Sequence, residues 1–167
     1  MAVKVSPLVH IEIVVRDAEA AAAFLKRVFG AEKTQLGFAS MLDSPAVHVV
    51  HVELGGVVLQ FIEPRLEGTI FWDFLQEKGP GVHNLTFTVA NMDEAIAALE
   101  KEGARVLLKF PLDWAKMQSL LPEGVTLPPN PAPVHMVDTL EQVGFRLELG
   151  ESPAGADATL RDFKDIR

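Results

Sequence analysis

The stretch His10-Ile-Glu-Ile-Val-Val-Arg-Asp-Ala-Glu-Ala-Ala-Ala-Ala-Phe-Leu decides the fold, because an apolar strand in it runs directly into an amphipathic helix. The pattern predicts a strand from Val9 to Val15 and a helix from Ala18 to Phe29, with Asp17 as its cap. The same design returns downstream as Asn84-Leu-Thr-Phe-Thr-Val-Ala-Asn-Met-Asp-Glu-Ala-Ile-Ala-Ala-Leu, at a shift of 74 residues and without a gap. A repeat of such long period is typical of internal duplication, so we expect two similar halves.

Composition narrows the class of protein. The chain has 167 residues, 49% hydrophobic and 23% charged, which is typical of a globular protein rather than a disordered one. A net charge of −8 without a basic stripe argues against nucleic acid as a partner. Cysteine is absent, which removes disulfides and thiolate chemistry. No apolar run reaches the length of a membrane helix and we see no signal peptide, so we expect a cytoplasmic protein without a membrane partner.

A hairpin is the sharpest local signal outside the repeat. Two β-rich runs, Val47 to Leu54 and Val57 to Ile62, are joined by Gly55-Gly56, which is typical of a two-residue turn. That turn places His51 directly opposite Gln60 on one face of the sheet.

The repeat also predicts the domain organisation. We expect a first module over residues 1–64, a linker with a short helix over 65–81, a second module over 82–150 with an insert at 110–133, and a tail over 151–167. Each module reads strand–helix–strand–strand–strand. The predicted fold class is therefore α+β, with two βαβββ modules forming a cup-shaped mixed sheet and helices on the outside.

Period-two alternation selects the side chains that face the cup. Ile11, Ile13 and Val15 should pack under the helix, which leaves His10 and Glu12 toward the cup. By the repeat, His10 corresponds to Asn84, and Gln60 corresponds to Glu148 in the last strand. Imidazole, amide oxygen and carboxylate are suitable ligands for zinc or another divalent first-row metal.

Several motifs point to a known family: His10-Ile-Glu-Ile, Leu59-Gln-Phe-Ile-Glu-Pro, Phe74-Leu-Gln-Glu-Lys-Gly, Gly81-Val-His-Asn and Gly144-Phe-Arg-Leu-Glu-Leu. With them the chain resembles the vicinal oxygen chelate superfamily of glyoxalases, bleomycin-resistance proteins and dioxygenases, and most closely its methylmalonyl-CoA epimerase-like branch. The resemblance covers about His10 to Leu149 and implies a glyoxalase-like fold.

The resemblance also implies a metal site and shows where this chain departs from the family. Its ligand positions fall on His10, Gln60, Asn84 and Glu148, for zinc, cobalt, nickel, manganese or iron. Asn84 stands where the family carries a histidine, and alternation points the neighbouring His83 to the opposite face.

His51 and Glu12 each leave two alternatives open. His51 either replaces the missing ligand, giving a set of His10, His51, Gln60 and Glu148, or contacts a substrate without metal. Glu12 occupies a position that is commonly small in the family, and it is either a buried acid–base group or a rim charge. The family's His-Pro-Lys stretch before the last strand is absent, which weakens a specific prediction of a CoA thioester.

Two classes of function follow from the resemblance. The first is a metal-assisted lyase, isomerase or epimerase that forms an enolate of a small carbonyl compound or thioester. Glu148, His51 and Glu12 are its predicted catalytic residues, and Asn84 with Trp114 and Met117 of the insert would contact the substrate. The second class is a metal-free module that binds a small organic molecule in the same cup. Paired-module folds often form homodimers, and the sequence leaves this alternative open.

Overall fold

The computed structural model describes residues 2–34, 45–109 and 134–151. These residues group into two compact units, one over 8–85 (the first unit) and one that combines 2–7 with 86–151 (the second unit). Both units combine helices with a sheet, so the predicted α+β class is confirmed.

The first unit follows the predicted order strand–helix–strand–strand–strand. Its elements are β1 (His10–Val14), α1 (Ala18–Phe29), β2 (Glu32–Thr34), β3 (Val47–Leu54), β4 (Val57–Pro64) and α2 (Ile70–Lys78), followed by the start of β5 (Gly81–Val89). The strands lie in the order β2-β3-β4-β1-β5. The β1–β4 pair is parallel, whereas β2–β3 and β3–β4 are antiparallel. The unit therefore holds a mixed sheet, as expected.

The helix α1 begins and ends at the residues that the sequence predicts, because Asp17 and Gly30 cap its two ends. The Asp17 Oδ1 atom accepts a hydrogen bond from the Ala20 amide at 2.8 Å, and Gly30 ends the helix at a φ of 69°. The helix packs on β3 and β4 over a core of Ala18, Ala22, Ala31, Val50, Val52 and Phe61, with Ile13 and Val15 packed against it. The predicted apolar face of β1 is therefore the face under the helix.

The second unit repeats this arrangement. After the end of β5 come α3 (Met92–Lys101), β6 (Arg105–Lys109), β7 (Val134–Asp138), α4 (Leu140–Val143) and β8 (Arg146–Glu151). The strand order β5-β8-β7-β6 is the counterpart of β1-β4-β3-β2. Its core consists of Val89, Met92, Ala95, Ile96, Ala104, Val137 and Leu149.

The start of the last strand differs from the sequence pattern by more residues than the other strand boundaries. The last strand is predicted from Val143 but begins at Arg146, because Leu140–Val143 form a helical turn. Gly144 ends that turn at a φ of 81°, a backbone conformation that favours glycine.

Some predicted features lie outside the described residues. They are the insert at 110–133, with Trp114 and Met117, and the tail beyond residue 151. Within the described ranges, no helix combines the length and the apolar character that crossing a membrane requires.

A matched pair of carboxylates supports the internal duplication. At the end of β4, Glu63 Oε2 accepts a hydrogen bond from the Ala18 amide at 3.1 Å, at the first residue of α1. In the second unit, Glu151 Oε2 accepts from the Met92 amide at 2.8 Å, at the first residue of α3. Ala18 and Met92 are repeat counterparts, and both glutamates follow their Gln60 or Glu148 position by three residues. Each carboxylate satisfies a helix amide that lacks a partner within the helix and lies at the positive end of the helix dipole.

We expect Glu63→Ala to lower the free energy of unfolding by about 1 kcal/mol, because the Ala18 amide loses its acceptor. Urea denaturation followed by circular dichroism measures the change. Glu67→Ala is the matched control, because Glu67 is exposed and it should change stability by less than about 0.5 kcal/mol. Equal effects of the two substitutions would contradict the capping role.

Candidate functional site

Among the described residues of the first unit, six polar or charged side chains are buried together with the apolar core. Each is at most 4% exposed, and they come from four neighbouring strands: His10 and Glu12 on β1, His51 on β3, Gln60 on β4, and His83 and Asn84 on β5. Burying polar groups costs free energy unless they find hydrogen-bond partners. Their mutual contacts therefore define a candidate site.

Glu12 is the centre of this network. Its Oε2 atom accepts a hydrogen bond from Gln60 Nε2 at 2.9 Å. Its Oε1 atom accepts from Asn84 Nδ2 at 2.5 Å and lies 3.0 Å from His83 Nδ1. Glu12 is thus a buried residue rather than a rim charge, and it joins strands β1, β4 and β5.

His51 holds the amide of Gln60 in one orientation. The two residues are paired across the β3–β4 hairpin, as the Gly55-Gly56 turn predicts. His51 Nε2 lies 2.7 Å from Gln60 Oε1, so the Gln60 amide oxygen accepts from His51 while its NH₂ group donates to Glu12. This leaves His51 Nδ1 as the nitrogen that carries a lone pair.

His83 is the residue whose direction the sequence pattern predicts wrongly. Alternation assigns it to the face opposite Asn84, yet both side chains contact Glu12 Oε1. Alternation fixes only the direction of the Cα–Cβ bond, and Nδ1 is the ring nitrogen nearer the backbone. The ring itself packs edge-on against Phe71 and Phe74 of α2, with centroid distances of 5.0 Å in both cases.

Burial keeps two histidines of this site, His10 and His51, neutral. It lowers the pKa of His10 to about 3, with a smaller contribution from the nearby His51. It also lowers the pKa of His51, against the opposing effect of the Gln60 hydrogen bond. Both imidazoles therefore keep a lone pair at neutral pH, the form in which histidine binds a metal.

Burial acts on Glu12 in the opposite direction. It raises the pKa of the carboxyl to about 8, although the hydrogen bonds from Asn84 and Gln60 oppose this change. A buried carboxyl of this kind holds a proton at neutral pH unless a positive charge lies beside it.

The donor set fits a divalent metal ion. A ring nitrogen of His10 and a carboxylate oxygen of Glu12 lie within 4.8 Å of each other. The His10 and His51 rings lie edge to face, with centroids 6.2 Å apart. Imidazole, carboxylate and amide oxygen together are the ligands that first-row divalent metals and zinc accept.

Glu148 belongs to the second unit, where it lies on β8 and is half-buried. Thr86 Oγ1, at the repeat counterpart of Glu12, is 3.5 Å from Glu148 Oε1. The Thr86–Glu148 pair therefore repeats the Glu12–Gln60 pair of the first unit. The roles of Glu148 as ligand and base, and of Asn84, Trp114 and Met117 in substrate contact, stay predictions.

The pKa of Glu12 predicts how stability depends on pH. Between pH 6.5 and 8 the folded protein keeps a proton on Glu12 that the unfolded chain has released, so stability should fall as pH rises. His10 and His51 do not contribute to this pH dependence, because their lowered pKa values affect stability only below about pH 6.5. We expect a loss of about 1–2 kcal/mol over this window, measured by urea denaturation in the presence of a chelator. Glu12→Gln should remove this slope, and a slope unchanged in that variant would contradict the assignment.

The fold and the site place the chain in a family. It belongs to the glyoxalase/bleomycin resistance protein/dioxygenase superfamily, whose family model matches residues 9–118. The Homo sapiens mitochondrial methylmalonyl-CoA epimerase is 35% identical over 99 residues, which are 59% of this chain and 54% of that protein. The ethylmalonyl-CoA/methylmalonyl-CoA epimerase of Cereibacter sphaeroides is 34% identical over 100 residues, 59% of this chain and 72% of that one. The chain spans about half the length of the mammalian relatives it matches.

Solved structures agree on the fold. The methylmalonyl-CoA epimerase of Mycobacterium tuberculosis superposes with a TM-score of 0.58 at 18% identity, covering 89% of this chain and 87% of that one. A variant of the Streptomyces coelicolor methylmalonyl-CoA epimerase, in complex with 2-nitronate-propionyl-CoA, superposes with a TM-score of 0.61 at 21% identity. The superposition covers 91% of this chain and 98% of that one. The glyoxalase-like fold predicted from the sequence is therefore confirmed.

Proposed function

We propose that this protein is an isomerase of the epimerase type, which moves a proton next to the carbonyl group of a small carbonyl compound or thioester with the help of a divalent cation. The observation that carries the proposal is the buried set of His10, Glu12 and Gln60 on the paired strands β1 and β4. The epimerase names of the similar proteins support the same reaction class.

We propose His10 and Gln60 as ligands of the cation, and Glu148 and His51 are the other predicted members of the ligand set. A bound divalent ion would act as a Lewis acid that polarises the substrate carbonyl and makes the neighbouring C–H more acidic. The chain's own contribution is to present neutral imidazoles and fixed oxygen atoms where water is excluded.

Proton transfer is proposed for His51 and Glu148. Because His51 is neutral at pH 7 and donates through Nε2 to Gln60, its Nδ1 atom carries the lone pair, which accepts a proton only where it does not bind the cation, so the ligand role and the base role of His51 are alternatives. Glu148 is the carboxylate proposed as second proton-transfer group. Glu12 is the third predicted catalytic residue, and its carboxyl group is the centre of the hydrogen-bond network. In the absence of a cation this carboxyl is protonated at neutral pH, so it is an acid rather than a base.

The relatives suggest a branched malonyl-CoA thioester as the first substrate to test. Asn84, Trp114 and Met117 are its proposed contacts. Because the His-Pro-Lys stretch is missing, the proposal extends to other small compounds with an acidic C–H next to a carbonyl. A homodimer and a cytoplasmic location stay predictions of the sequence.

The direct test is hydrogen exchange at the substrate carbon. We would incubate the protein, loaded with cobalt or manganese, with methylmalonyl-CoA in deuterium oxide and follow loss of the C–H signal by NMR. Exchange that requires both the protein and the ion supports the proposal. Thermal stabilisation by organic ligands alone, with neither ion binding nor exchange for any malonyl-type thioester, would instead support the metal-free binding module.

A further inference from the structure

Two unusual residues of this chain contact each other. Glu12 stands where the family resemblance predicts a small residue, and Asn84 stands where it predicts a histidine ligand. In the structure Asn84 Nδ2 donates to Glu12 Oε1. We propose that Glu12 takes the place of the missing ligand, so that His10 and Glu12 of one strand both bind the same divalent cation. This inference rests on the proposed function and specifies the ligand set of its site.

The hydrogen bonds of Glu12 leave room for a cation. A carboxylate has about four lone-pair directions, two on each oxygen. In the part of the chain that the structure describes, His83 and Asn84 approach Oε1, whereas Gln60 alone approaches Oε2. One lone pair of Oε2 is therefore available to a metal ion while all three hydrogen bonds persist.

The spacing of His10 and Glu12 suits a shared ion. The two residues are separated by one position on β1, so their side chains leave the strand on the same face. Their ligand atoms lie within 4.8 Å of each other. Two ligands of one ion with bonds of about 2.0–2.2 Å are about 3–4 Å apart, which small side-chain rotations reach from this arrangement.

The neighbouring amides act as supports of the carboxylate. The NH₂ group of Asn84 faces Glu12 and donates to its Oε1 atom. Gln60 is fixed in the same way, since His51 holds its oxygen and Glu12 its NH₂ group. Outer partners of this kind orient a ligand before the metal binds and raise the affinity of the site.

A carboxylate in place of an imidazole changes the metals that the site prefers. It adds a negative charge and a hard oxygen atom to the ligand set. Manganese and magnesium prefer such ligands, whereas zinc, nickel and cobalt gain more from imidazole. The ratio of zinc to manganese affinity should therefore be lower here than in a variant that carries the histidine.

Four proteins test the inference: the wild type, Glu12→Gln, Asn84→His and the double variant. Dissociation constants for Co²⁺, Mn²⁺ and Zn²⁺ are measured by calorimetry, and the visible absorption of the Co²⁺ form reports the ligand set. Glu12→Gln should weaken Co²⁺ binding by about 100-fold or more, because loss of an outer partner alone costs about 10–100-fold. The double variant should recover most of this loss and should raise the zinc-to-manganese affinity ratio.

Two control variants show whether an effect on Co²⁺ binding is specific to Glu12. Glu63→Gln changes a carboxylate of the same unit that caps α1, and it should bind Co²⁺ like the wild type. If Glu12→Gln is poorly folded by circular dichroism, Glu12→Asp keeps the charge but withdraws the oxygen atoms, and it should still weaken Co²⁺ binding at least tenfold.

Each outcome is informative. Wild-type affinity in Glu12→Gln, together with loss of binding in His10→Ala, would overturn the role of Glu12 and leave the proposed function intact. A wild-type protein that binds none of the three ions would overturn both. Loss in Glu12→Gln with recovery in the double variant supports the substitution of one ligand by the other.

Discussion

Replacing His10 by alanine should leave the protein almost without a bound divalent ion and should slow substrate proton exchange by about 1000-fold or more. His10 is fully buried on β1, and burial keeps its imidazole neutral and ready to bind a metal at pH 7. The size of the effect follows from Lewis-acid stabilisation worth several kcal/mol, since each 1.36 kcal/mol is a factor of ten in rate. Metal analysis after dialysis and the deuterium-exchange assay measure the two effects.

His48→Ala is the matched control for this prediction. His48 lies on β3 within the same unit and is half-buried, with Nε2 3.6 Å from the exposed Glu19 carboxylate. Its loss should change neither the metal content nor the exchange rate. A His10→Ala protein that keeps wild-type metal content would contradict the metal site, whereas equal losses in both variants would show that the histidine effect is not specific to the site.

The second large effect is expected from Glu12→Ala, which should lower the free energy of unfolding by at least about 3 kcal/mol. The substitution removes the carboxyl group that three buried groups contact, namely the Gln60 and Asn84 amides and the His83 ring. Each unsatisfied buried donor costs about 1–3 kcal/mol, and the cavity left by the side chain adds to this cost. Urea denaturation at neutral pH in the presence of a chelator measures the loss.

The internal repeat supplies the control for Glu12. Thr86 is the counterpart of Glu12 in the second unit, and its hydroxyl donates a long hydrogen bond of 3.5 Å to Glu148. Thr86→Ala should therefore cost about 1 kcal/mol. If the two substitutions destabilise the protein equally, Glu12 does not have the central place in the network that its contacts indicate.

The two strong predictions test different properties of one network. His10→Ala removes a proposed metal ligand and should lower ion binding and the exchange rate. Glu12→Ala removes the residue that joins three strands and should lower stability, in addition to the effect on ion binding expected from the loss of a proposed ligand. A protein whose polar core contributes to both properties is expected to gain stability from the cation, because an ion that binds only the folded state stabilises it.

Local patterns in the sequence were sufficient for much of the fold. Asp17 and Gly30 mark the ends of α1 because caps act within a few residues of the helix. The Gly55-Gly56 turn fixes the register of β3 and β4, and with it the contact of His51 with Gln60. Alternation on β1 correctly assigned the faces of this strand, and the repeat predicted the equivalent strand orders of the two units.

The central place of Glu12 was decided only by the tertiary structure. Sequence alternation placed Glu12 beside His10, but it gave no partner for it. Its partners Gln60, Asn84 and His83 are 48 to 72 residues away along the chain. Gln60 meets Glu12 because β1 pairs in parallel with β4, with Glu12 opposite Gln60, whereas His83 and Asn84 lie on β5, the other neighbour of β1 in the sheet. The register of parallel strands depends on how the intervening chain packs against the sheet, and no short-range pattern encodes it.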